Sequence, residues 1–125
     1  MFLYTALLLS CLTIFRVQST VYNITNTTTN WQSILTSLKA GDVVNIYRGV
    51  YTTAGAGYLQ LTLNGTLNQP IIIRATPNEP RPIIRCPQMG ANAQNVLNVQ
   101  GSNFVIKGLG FTQGSRGVRV GPAGT

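Results

Sequence analysis

The chain has 125 residues, with nine Lys and Arg against two acids and no His, for a formal net charge of +7. The absence of His excludes Ser-His-Asp triads and His-ligated metal sites. No run of Lys or Arg occurs, so nucleic acid is not an expected partner, while the positive bias suits a polyanion such as an acidic polysaccharide.

Residues 1–20 read as a signal peptide. Residues 2–15 form an apolar run broken only by small polar residues. It is short of the about 20 residues that span a bilayer. Val17 and Ser19 satisfy the small-residue rule for cleavage near Ser19 or Thr20. A basic n-region is missing, so an uncleaved anchor stays open as the alternative to a secreted protein with no stable membrane anchor. Cleavage removes Arg16 and leaves eight basic residues against Asp42 and Glu79, a net charge of +6. Cys11 leaves as well, and Cys86 becomes the one mature cysteine: a buried small hydrophobe, or half of a disulfide whose partner lies elsewhere.

Residues 21–30 are β-branched and polar. They read as a short leading strand through Val21, Tyr22 and Ile24, or as a glycosylated tail. Asn23 and Asn26 open sequons there, and Asn64 opens a third. Residues 31–40 read as an amphipathic helix, because Trp31, Ile34, Leu35 and Leu38 share one face. Thr29 and Gln32 form a capping box, Lys39 suits the negative end of the dipole, and Gly41 stops the helix. On that stripe Trp31 reads as core in preference to a sugar-stacking platform. Asp42 reads as a turn residue whose carboxylate takes nearby backbone N–H groups.

From Val43 onward the pattern becomes short strands and turns. Val44 and Ile46 share one face, with Arg48 next in line; Leu59, Leu61 and Leu63 alternate cleanly; Ile71, Ile72 and Ile73 follow Pro70. Residues 76–80 form a loop, and a strand over 82–86 ends at Pro87. Further strands fall at 95–99, 104–107, 109–111 and 118–120. Ile46, Ile72 and Leu97 lie 26 and 25 residues apart, and Leu61, Ile84 and Ile106 lie 23 and 22 apart. Two such ladders imply a repeat in the low-to-mid twenties, the mark of a solenoid. A β-sandwich is the alternative, with Asn64-Gly65 as a hairpin turn.

Three stretches carry a resemblance. Leu-x-Ala-Gly-Asp-x-Val-x-Ile-x-x-Gly-x-Tyr at residues 38–51, with residues 64–75 and 99–111, is similar to the start of a right-handed parallel β-helix of the pectate-lyase-like superfamily. The alginate lyase and chondroitinase B type of polysaccharide lyases is nearest. The resemblance implies an all-β fold of three to four coils with an N-terminal capping helix. It implies the N-terminal part, residues 21–125, of a longer secreted protein. The expected parent is a polysaccharide lyase acting on an acidic glycan, with this segment inactive by itself. A non-catalytic β-helix for adhesion or glycan binding is the alternative, and a secreted scaffold without a site is a third reading. The chain ends without a polar cap, so self-association through an open C-terminal coil is a further expectation.

Lyases of this type neutralise a uronate, often with Ca²⁺, and use Lys and Arg as base and acid. No position matches that motif, so no catalytic residue is assigned. Lys107, Arg116 and Arg119 are the candidate contacts for an acidic sugar, with surface solvation as the plainer role. Asp42 and Glu79 are too few for a Ca²⁺ site, so no cofactor is expected here and Ca²⁺ remains an option only for the longer parent. Nor do they suit a glycosidase pair, since one sits in a turn and the other in a loop. Asn95, Asn98 and Asn103 are candidates for a structural amide ladder.

Overall fold

The computed structural model describes residues 18–54, 58–89 and 93–121. Residues 1–17, which hold most of the expected signal peptide, and residues 55–57, 90–92 and 122–125 lie outside the described residues. The elements are β1 (Val21–Ile24), α1 (Trp31–Thr36), β2 (Val43–Ile46), β3 (Val50–Thr52), β4 (Leu59–Asn64), β5 (Ile71–Ala75), β6 (Ile83–Met89), β7 (Leu97–Ser102), β8 (Phe104–Lys107), β9 (Gly110–Gly114) and β10 (Val118–Val120).

The fold is all-β. The strands form three sheets, ordered β1-β2-β5-β8, β3-β6-β9 and β10-β7-β4. From β2 onward, consecutive strands visit the first, second and third sheet in rotation. Every pairing is parallel, so the antiparallel hairpins of a sandwich are absent among the described residues. Asn64 and Gly65 do not close a hairpin; they lead from the third sheet to the first, and the Gly65 N–H donates to the Ser102 carbonyl (2.9 Å).

Alternation along each strand sends every second side chain to the interior. Parallel register then stacks like on like. Tyr22, Val44, Ile73 and Ile106 form one column of the first sheet. Tyr51, Ile84 and Phe111 form a column of the second. Leu59, Leu97 and Val118, with Leu61, Val99 and Val120, form two in the third. Most of these residues are buried, and Cys86 is completely so, in the surroundings of a small hydrophobe.

These columns replace both ladders expected from spacing. Ile46 pairs with Ala75, Ile72 pairs with Val43 on the outer face, and Leu97 belongs to another sheet. Leu61, Ile84 and Ile106 lie in three different sheets. The true steps are unequal: 29 residues from Val44 to Ile73, 33 from Ile73 to Ile106, and 38 from Leu61 to Val99. Turns absorb such differences at little cost, because closure entropy grows only slowly with loop length.

The helix is shorter than expected, six residues instead of ten. The Thr36 hydroxyl donates to the Ser33 carbonyl (3.1 Å) and the Ser37 hydroxyl to that of Ile34 (3.0 Å). Side chains thus take carbonyls near the point where the helix stops. Lys39 lies beyond the helix and does not serve its dipole. The capping box is absent as well: the N-cap is Asn30, without a side-chain bond, and Gln32 Oε1 accepts from the Ala54 N–H (3.0 Å). Arg48 is exposed and does not continue the inward row of Val44 and Ile46. Strand β6 runs through Pro87 instead of ending there, with a register irregularity between Arg85 and Met89. The break in register accommodates a proline that cannot donate to the ladder.

Trp31 and Leu35 of α1 are buried in the common core, and the helix packs on β4. The Trp31 ring meets Tyr51 edge to face, with centroids 5.6 Å apart. The Tyr51 hydroxyl donates to the Tyr47 carbonyl (2.7 Å), and burial pushes its phenol pKa up. Trp31 is therefore core. Replacing Trp31 with Ala is expected to lower stability by about 3–5 kcal/mol, measured by urea unfolding.

Candidate functional site

The side chains that alternation sends outward are the ones a ligand can meet. On the third sheet they are Gln60, Thr62 and Asn64 from β4, Asn98, Gln100 and Ser102 from β7, and Arg119 from β10. Register aligns Gln60 with Asn98 and Arg119, Thr62 with Gln100, and Asn64 with Ser102. Every one carries a hydrogen-bonding group. Gln100 Nε2 donates to Thr62 Oγ1 (3.0 Å), and Asn95 Nδ2 donates to Asn98 Oδ1 (2.8 Å). The Asn95–Asn98 bond is local, between residues three apart, and Asn103 turns to the Gly65 carbonyl (3.4 Å), so the three do not form the expected amide ladder.

A cleft of about 390 Å³ opens on this face, lined by Thr62, Asn64, Gln100, Gly101, Val120 and Gly121. Gly101 shapes it. Its φ is +122°, and a Cβ there would strike the Leu63 carbonyl oxygen. Any larger residue would force apart the two strands that present the polar columns.

Of the residues proposed from sequence, Arg119 lies on this face. Arg116 sits in the turn before β10, exposed, its carbonyl accepting from the Val96 N–H (3.0 Å). Lys107 is exposed at the end of β8 on the first sheet, paired in register with Arg74. The structure therefore does not bring the three together. Gln60, Thr62, Gln100 and Ser102 were not singled out from sequence, and Asn98 only as a structural amide. Their signal was present: in residues 59–64 and 97–102 the outward positions are all amide or hydroxyl. Asn23, Asn26 and Asn64, the three sequon residues, are all exposed, and Asn64 stands at the edge of the polar face.

The two acids lie apart in role. Asp42 is buried, and its carboxylate accepts from the backbone N–H of Thr20 (2.9 Å) and of Lys39 (2.8 Å). It is the turn residue expected from sequence. Glu79 faces Arg48 at 3.7 Å in an exposed ion pair, beside a second cleft that includes Asn26 and Tyr47. Among the described residues no group of three or more His, Cys, Asp and Glu could hold a metal ion. At the far end, where β8, β9 and β10 are the last strands of their sheets, Phe104, Ile106, Phe111, Val118 and Val120 help to line an apolar hollow of about 280 Å³.

Comparison with family models, with curated proteins and with solved structures finds no match to this chain. Among the described residues no helix is long and apolar enough to cross a membrane.

Asp42 holds two backbone donors out of water, so its loss should damage the fold itself. Asp42→Ala is expected to lower unfolding stability by about 2–4 kcal/mol in denaturant titration. Glu79→Gln, on an exposed pair, is expected to stay within about 0.5 kcal/mol of the parent.

Proposed function

We propose that this chain belongs to a secreted right-handed parallel β-helix protein, and that the outer face of its third sheet binds an acidic polysaccharide. The rotation of consecutive strands through three parallel sheets supports the solenoid reading, with each rotation one coil. The resemblance of residues 38–51, 64–75 and 99–111 to pectate-lyase-like proteins points the same way.

One observation carries the binding site: all seven outward positions of the third sheet offer hydrogen bonds, arranged in register, with Arg119 at one edge. Sugars present hydroxyls that match amide and hydroxyl side chains, and a uronate carboxylate matches a guanidinium. A rigid sheet holds these groups before the ligand arrives, which lowers the ordering cost of binding. A lyase activity in a longer parent rests on the resemblance alone. The one cation–carboxylate pair among the described residues, Arg48 with Glu79, lies outside the third sheet, and the role this reading gives the segment is recognition. The three sequons and the signal-peptide pattern of residues 1–20 support export.

Calorimetric titration of unglycosylated protein with polygalacturonate oligosaccharides tests this. Gln100→Ala with Arg119→Ala is expected to weaken binding by at least about tenfold, with the fold intact by circular dichroism. Undiminished affinity in that double variant would remove the third-sheet face from the account.

A further inference from the structure

The outer face of the first sheet is built differently. Two columns run across its four strands. One is apolar: Val21, Val43, Ile72 and Val105. The other is Asn23, Asn45, Arg74 and Lys107.

Arg74 and Lys107 are direct neighbours on adjacent parallel strands. Strands in a sheet lie about 4.8 Å apart, and like charges placed directly opposite repel. The chain has only two side-chain carboxylates to relieve them. Asp42 is held by the backbone N–H groups of Thr20 and Lys39, and Glu79 faces Arg48. The cation pair therefore has no counter-charge from either acid.

Arg74 is also held in place. Its Nε donates to Asn45 Oδ1 (2.9 Å), and Asn45 Nδ2 donates to Asn23 Oδ1 (3.1 Å). The relay spends the Nε–H of the guanidinium and leaves its two Nη groups outside the relay. A planar fork fixed along one edge is prepared for an oxyanion on the other. Ile72 and Val105 lie two residues before Arg74 and Lys107 on the same face. They give an apolar strip alongside the cations, suited to the C–H face of a pyranose ring.

We propose that the first sheet carries a second glycan site, in which Arg74 and Lys107 hold a sulfate ester or carboxylate of an acidic polysaccharide while its ring rests on Ile72 and Val105. The observations that carry it are independent of the third-sheet face. Asn45 acts as a positioning residue through Arg74. An N-glycan on Asn23 would occupy its Nδ2 and leave the Oδ1 acceptor in the relay intact.

The test uses the unglycosylated chain and three probes: dextran sulfate, polygalacturonate and neutral dextran of similar length. The charged probes should bind and neutral dextran should not, and the tighter charged probe identifies the anion. Arg74→Gln with Lys107→Gln should weaken binding to that probe at least tenfold. Arg81→Gln with Arg85→Gln, which removes the same charge elsewhere, should cost no more than about twofold. Asn45→Ala keeps every charge and should still weaken binding severalfold, which a sum of charges would not do. The third-sheet double variant should keep whatever binding the Arg74 and Lys107 pair provides, so the two sites can fail separately. Equal losses from the two cation-removing variants, or equal binding of neutral dextran, would overturn the site.

Discussion

The fold depends on one constraint: across every parallel pairing, inward side chains must meet inward side chains. A slip of one residue in any strand would turn its apolar set to water. The register satisfies the constraint in all three sheets. Val44 meets Ile73, Tyr51 meets Ile84, and Leu61 meets Val99. Because the interior faces of three sheets share one core, the columns hold each other in place. The same alternation that buries Leu59, Leu61 and Leu63 leaves Gln60, Thr62 and Asn64 outside, so the polar face is a consequence of the core.

The beginning of the structure is tied down by different means. Asp42 links the turn after the helix to Thr20 ahead of β1, and so joins two segments 22 residues apart. Trp31 brings α1 against Tyr51, whose hydroxyl returns to the backbone at Tyr47. An apolar helix face, a buried carboxylate and a buried phenol together close the region where β1, β3 and β4 have their unpaired edges. The opposite end shows an apolar hollow bordered by Phe104 and Phe111.

Much of this was legible in the chain because alternation is a local signal. The strand at 59–63, the isoleucine run after Pro70, the strand at 104–107 and the core position of Trp31 could all be read from neighbours a few residues away. What could not be read was which strands adjoin. Sheet membership rotates, and turns of unequal length hide the rotation, so evenly spaced residues such as Ile46, Ile72 and Leu97 suggested a ladder that does not exist. The helix end and the course of β6 were misread for a related reason. The hydroxyls of Thr36 and Ser37, and a register irregularity near Pro87, override propensity locally. The candidate site stayed hidden because a polar face exists only once β4, β7 and β10 are known to be neighbours. Arg74 and Lys107 likewise are unrelated in sequence and adjacent in register.

Both proposed sites rest on that register. Amide-to-amide cross-peaks by NMR on the isotope-labelled chain test it most directly. Parallel stacking predicts close approach between the backbones of Leu61 and Val99, of Val44 and Ile73, and of Tyr51 and Ile84. Cross-peaks joining residues 59–64 to residues 71–75 as an antiparallel hairpin around Gly65 would contradict it, and the two outer faces would no longer exist as described.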